Sequence, residues 1–231
     1  MIDHYDWAGG REAMLRFGPD TGPVVVAALP LFEEANRTRA LVVTMLRALA
    51  ERGIASALPD LPGQGESVVP TEEVTLADWQ EAFGAAAAWL GNPHTVAIRG
   101  GALVTLGARR KSSWVFAPVD GSTLVRDLQR ARQITQPNAP LLIDLATTAP
   151  AGTRTEAAGT GLSVDLLHPL VHAIPDRATP NRLTRLESDP GEANAKFPGA
   201  PLWRRAEPGN DPTLAELLAD DIAAWVRSCE G

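Results

Sequence analysis

The 231-residue sequence predicts a three-layer α/β/α sandwich, a mostly parallel sheet between two layers of helix. Three observations carry that expectation. PVVVAALP (23–30) is a continuous β-branched and apolar run, the pattern of a strand covered on both faces. Similar runs alternate with amphipathic helical stretches through residue 133. Strand and helix alternating at this spacing imply parallel pairing with right-handed crossovers.

The elements follow in order. AMLRF (13–17) reads as a short edge strand, and PVVVAALP as the first fully buried one. EEANRTRALVVTMLRALAERG (33–53) reads as one helix, with Leu41, Met45, Leu46 and Leu49 at helical spacing and Gly53 at its stop. IASALPDLPGQGES (54–67) is a strand followed by a Pro/Gly loop. TLADWQEAFGAAAAWLG (75–91) is a helix, with Thr75 as N-cap and Gly91 past its end. HTVAIRG (94–100) is the next strand and GALVTLGARR (101–110) the helix after it. SSWVFAPV (112–119) is a strand and GSTLVRDLQRARQ (121–133) a helix.

Beyond residue 134 the rhythm weakens. APLLIDLATTA reads as a helix or part of a lid, TRTEAAG (153–159) as a strand, and SVDLLHPLVHAI (163–174) as partly helical. Pro169 is tolerated in a helix only near the first turn. RLTRLESD (182–189) is the last strand and residues 189–212 a Pro/Gly-rich loop. TLAELLADDIAAWVRSC (213–229) is a closing helix capped by Asp211 or Thr213. No linker divides the chain, so one domain over 1–231 is expected.

Composition narrows the function classes. The net charge is −7, which argues against sequence-independent nucleic-acid binding, since that needs a basic face to release counterions. No run has the apolar length of a membrane span. MIDHYDWAGGREAML lacks the basic region and apolar core of a signal peptide, and the single cysteine, Cys229, allows no intramolecular disulfide. The expectation is a cytoplasmic protein.

Ligands bind outside the carboxyl ends of strands in an open parallel sheet. There the sequence places Glu33, Glu34, Asn36 and Arg39, then Asp60 and the GQGES loop, Arg99, Asp120 and Ser122, and a late loop with Trp203. The stretch AIRGG (97–101) has the small flanking residues of a nucleophile elbow, G-x-S-x-G. Ala97 and Gly101 satisfy its steric demand, but the apex is Arg99. An arginine has no lone pair to attack a carbonyl with. The histidine of such a triad comes after the last strand, and the four histidines, His4, His94, His168 and His172, all precede it. Ser67, Ser112, Ser113 and Ser122 have no evident histidine partner.

With these residues in view, the chain resembles the α/β-hydrolase superfamily. Pro30, Phe32, Glu33, Glu34 and Asn36, the arginine in the elbow, and Trp114 to Val119 resemble the exosortase A system-associated hydrolase 2 family. Only one residue separates Phe32 from Glu34, a slightly different spacing from that family. The likeness is good over residues 23–133 and loose elsewhere. It implies an α/β-hydrolase fold with a reduced cap and a link to bacterial exopolysaccharide and protein-sorting systems. Because serine and histidine are missing, no triad role carries over.

The expected function is therefore a degenerate hydrolase-like protein. It would bind a small anionic ligand or a protein partner at a crevice with candidate residues Arg99, Glu33, Glu34, Asn36, Asp60 and Trp203. Arg99 either grips an anion or pairs with Glu33 or Glu34. The glutamates either act as acid and base or complement a helix dipole. Trp203 either caps the crevice or wedges its loop. GQGES reads as a simple turn, since it lacks the third glycine and lysine of a phosphate loop. Asp165, His168 and His172 share helical spacing but lack a fourth ligand, so no metal and no cofactor is expected. The alternative is a hydrolase or acyltransferase that uses Glu or Asp acid–base chemistry in the same crevice.

Overall fold

The computed structural model describes residues 1–178 and 181–231. The chain opens with a hairpin, β1 (Ile2–Trp7) and β2 (Gly10–Phe17). There follow β3 (Val24–Ala28), α1 (Glu33–Glu51), β4 (Ala55–Pro59), α2 (Leu76–Trp89) and β5 (His94–Ile98). Then come β6 (Ser113–Phe116), α3 (Gly121–Thr135) and α4 (Leu142–Thr148). A second hairpin, β7 (Arg154–Ala157) and β8 (Thr160–Ser163), precedes α5 (Val164–His172). The chain closes with β9 (Asn181–Leu186), β10 (Ala195–Phe197) and α6 (Pro212–Glu230).

One eight-stranded sheet runs in the order β1-β2-β4-β3-β5-β6-β9-β10. β2 is antiparallel to β1 and to β4, and every other pair is parallel. Alternate side chains of the central strands feed two cores. Val25, Ala27, Val96 and Ile98 pack against α1 and α6 on one face. Val26, Ala28, Ala97 and Val115 pack against α2, α3, α4 and α5 on the other. Burial on both faces is why these strands read as unbroken apolar runs. The order reverses at β3, with β4 on one side and β5 on the other, so a crevice opens at their carboxyl ends.

Several expectations need correction. The edge strands are β1 and β10; the expected edge segment, 13–17, lies in β2 between β1 and β4. β1 mixes exposed Ile2, His4 and Asp6 with half-buried Asp3 and Trp7 and buries only Tyr5 fully, which hides its pattern. No α-helix spans 101–110. A 3₁₀ helix, Arg99–Leu103, stands there instead. The side chain of Gln80 donates to the Leu103 carbonyl at the end of that turn, at 3.0 Å. The 189–212 loop contains β10, which pairs with β9, and a short 3₁₀ turn, Leu202–Arg204. Pro169 lies well inside α5, which ends three residues later, so the lost hydrogen bond weakens only a short helix. Asp211, rather than Thr213, caps α6, with Pro212 in its first turn.

The small-residue requirement of the β5 turn is steric. A Cβ on Gly101 would lie 2.5 Å from the carbonyl oxygens of both Ala28 and Leu29. Gly84, inside α2, has nothing within 4 Å. Gly101→Ala is therefore expected to lower stability by about 1–3 kcal/mol. Gly84→Ala should raise it by up to about 1 kcal/mol. Urea-denaturation midpoints of the two variants check the pair, and equal shifts would contradict the close approach.

Candidate functional site

The site is built on the turn after β5. Arg99 is the first residue past the strand and has φ of 54°. A non-glycine residue in the left-handed region is held there by its surroundings. Two neighbours share that strain, Phe32 at the end of the β3 loop (φ 59°) and Ala117 after β6 (φ 47°). Phe32 turns the chain into α1, whose N-terminus has no side-chain cap but carries Glu33 and Glu34 in its first turn. The carboxylates there complement the exposed N–H groups and the helix dipole.

Glu34 reaches across to Arg99. The guanidinium donates through Nε to Oε2 at 3.1 Å and through Nη2 to Oε1 at 2.9 Å. Nη1 donates to the Ala117 carbonyl at 3.2 Å. Trp203 covers the guanidinium face, with its ring centre 4.8 Å from Cζ, a cation–π contact. Arg99 is 8% exposed. Its charge is thus matched by a two-pronged carboxylate, the geometry that best repays burial of an arginine. Trp203, itself 7% exposed, sits between the final strand and α6 and also packs edge-on to Phe116.

Beside this pair lies a cleft of about 650 Å³. Glu33, Glu34, Arg37, Arg99, Trp203 and Arg204 contribute to it, together with an apolar wall that includes Phe32, Val119 and Leu128. The tip of the β7–β8 hairpin reaches it through Ala158, so part of the 134–180 segment borders the opening as a reduced cap. Arg37, Arg204 and the wall were not singled out in the sequence. The available signal was the four-residue spacing of Glu33 and Arg37, which shares one helix face.

Asn36 and Asp60 are not in this cleft. They line a separate pocket of about 230 Å³ with Arg39 and Gln64. α1 divides the two, because residues 36 and 39 project from the opposite flank of its first turns to 33 and 37. Asp60 accepts from Arg39 at 3.3 and 3.4 Å and from the Glu66 backbone N–H at 3.3 Å. The GQGES loop wraps this carboxylate closely, for a Cβ on Gly65 would lie 2.3 Å from Asp60 Oδ1.

None of the histidines joins Arg99. His94 begins β5, at the far end of the sheet, and corrects the expectation that no serine has a histidine partner. Its Nδ1 lies 2.7 Å from Ser112 Oγ and its Nε2 2.8 Å from Glu230 Oε1. Lys111 pairs with Glu230 as well. Ser112 is buried, although an open depression of about 380 Å³ between Arg109, Arg110 and Lys111 reaches it. His168 and His172 stack edge to face on α5, with His168 bonded to the Ala146 carbonyl and Asp165 to the Gly152 N–H. Among the described residues no group of three or more His, Cys, Asp or Glu is placed to hold a metal ion.

The strand order, the strained turn after β5 and the two helical layers make this an α/β-hydrolase-type fold. No protein-family model matches the chain, and no curated protein matches its sequence. Solved structures match its fold. Est1E from Butyrivibrio proteoclasticus has a TM-score of 0.63 at 13% identity, covering 99% of this chain and 98% of that one. The bottromycin epimerase BotH, solved in complex with bottromycin A2, has a TM-score of 0.57 at 16% identity, covering 97% and 99%. A loop variant of the haloalkane dehalogenase DbeA from Bradyrhizobium elkanii has a TM-score of 0.60 at 13% identity, covering 100% and 97%. No helix among the described residues is long and apolar enough to cross a membrane.

Two predictions follow from this geometry. Arg99→Ser is expected to create no esterase and to cost about 3–5 kcal/mol, because it leaves Glu34 nearly buried and unpaired. Adding Glu34→Gln should recover part of that loss, as measured by thermal unfolding. Burial holds the His94 imidazole below its ordinary pKa, against the opposing pull of Glu230. The unfolded chain therefore takes up this proton first as pH falls. The His94 contribution is complete above about pH 6.5 and is lost below it. Urea titrations from pH 8 to pH 5, at about one-unit steps, should show a shallower acid-side loss in His94→Gln than in the wild type.

Proposed function

We propose that this is an α/β-hydrolase-fold protein that binds a small anionic ligand, or failing that a protein partner, without serine–histidine catalysis. The observation that carries the reading is the Arg99–Glu34 fork at the apex of the elbow. It fills the nucleophile's place with a matched ion pair, and Trp203 covers its guanidinium face. An open cleft beside that pair remains for a ligand.

The proposal includes a cytoplasmic location and membership of the exosortase A system-associated hydrolase 2 family, with its link to exopolysaccharide and protein-sorting systems. The pairing of Glu34 with Arg99 supports that affiliation by giving two of its signature positions one joint role. A single domain over 1–231 is part of the same reading.

One observation favours the acid–base alternative. Glu33 lines the cleft and has no cationic partner among the described residues. Glu34 is tied to Arg99 and Asp60 lies elsewhere, so Glu33 is the acid on which a hydrolase or acyltransferase would depend.

The experiment is treatment with a fluorophosphonate probe alongside turnover of p-nitrophenyl esters. No label and no rate above buffer are expected. Labelling that disappears in Ser112→Ala would overturn the reading in favour of a hydrolase running on Ser112 and His94. Ester turnover abolished by Glu33→Gln would establish the acid–base alternative.

A further inference from the structure

We infer that the cleft takes an amphipathic monocarboxylate, its carboxylate on Arg37 and Arg204 and its alkyl or aryl body on the apolar wall. This rests on the anion-binding reading above and names the ligand class.

Five arginines and four carboxylates line the cleft. Arg99 is paired to Glu34, Arg130 to Asp127 at 2.8 Å, and Arg185 to Asp189 at 2.7 Å. Arg37 and Arg204 have no carboxylate within ion-pair distance among the described residues, and Glu33 has no cation. The cleft therefore holds one uncompensated positive charge, and it belongs to the Arg37–Arg204 side. A monoanion balances it. A dianion would bring a second charge into a partly desolvated space with nothing to match it.

Geometry places the carboxylate. Arg37 rises from α1 and donates from Nη1 to the Trp203 carbonyl at 3.1 Å. That single bond holds its guanidinium beside the residue preceding Arg204 and leaves most of its five N–H donors free. Arg204 is exposed, with no side-chain hydrogen bond among the described residues. Two guanidinium forks, one from a helix and one from a loop, line the same cleft and suit a planar carboxylate. Arg99 cannot serve as the primary anchor, because an incoming anion would have to displace Glu34.

The remaining wall gives the body. Phe32, Pro118, Val119, Leu128 and Ala131 line the same space. An inorganic anion would leave this surface wet, whereas an alkyl or aryl chain gains from covering it. The volume of about 650 Å³ suits such a molecule, since pockets for small organic ligands span roughly 300–1,000 Å³.

The test is calorimetric titration of the intact chain with butanoate, hexanoate, octanoate, octan-1-ol and inorganic phosphate. Octanoate should bind, with affinity rising about fourfold per added methylene. Octan-1-ol and phosphate should each bind at least about tenfold more weakly than octanoate. Arg37→Ala and Arg204→Ala should each weaken octanoate about tenfold. Arg204 makes no structural bond, so its variant separates ligand binding from folding. Octan-1-ol binding as tightly as octanoate, affinity independent of chain length, or undiminished octanoate binding in Arg204→Ala would each overturn the inference. Phosphate binding without octanoate binding would also overturn it while leaving the anion-binding reading standing. No binding of any probe, read both by heat and by a shift in thermal unfolding, would overturn this inference and the small-anion form of the reading above.

Discussion

The Arg99–Glu34 ion pair holds the mouth of this protein together. It ties the turn after β5 to the start of α1, and through Nη1 it reaches the backbone beyond β6. Trp203 brings in the loop before α6. Four chain segments that are distant in sequence meet on one guanidinium. An arginine buried this far must be matched in charge and in hydrogen bonds. Glu34 supplies both at once, and in doing so it sets the entry direction of α1. The left-handed conformations at Phe32, Arg99 and Ala117 cluster around the same pair, which suggests that its bonds offset their strain.

The turn shows how geometry and chemistry separate in one motif. Gly101 is small because the carbonyls at the end of β3 leave no room for a Cβ. That constraint comes from the sheet and acts whatever residue stands at the apex. An arginine at the apex therefore leaves the turn as tight as any other residue would. The fold thus sets the geometry of the turn but not its chemistry, and function must be argued from the site rather than the fold.

The opposite end of the sheet makes the complementary point. His94, Ser112 and Glu230 form a hydrogen-bonded chain of the residue types that hydrolases use. Here the chain joins the starts of β5 and β6 to the last turn of α6. In the linear sequence these residues are widely separated, and neither Ser112 nor Glu230 lies in a motif. Sequence reading found no partner for Ser112 because the partner is supplied by the register of β5 against β6.

The layer architecture was legible in the linear order of residues because local patterns dictate it. Strands covered on both faces must be apolar throughout, and helices over them must be apolar on one side. The elbow and the absence of its serine and late histidine were legible for the same reason: each is a statement about residues at fixed offsets. β1 and β10 are not legible because they are polar or short, and the helical pattern of 101–110 gives way to a 3₁₀ turn that follows the left-handed Arg99. The assignment of partners was beyond the sequence. That Glu34 rather than Glu33 meets Arg99, that Asp60 and Asn36 fall on the far side of α1, and that Arg37 and Arg204 share a cleft depend on the rotation of one helix and the path of one loop. Those are fixed only when the two cores pack, since packing alone decides which flank of α1 faces which strand end.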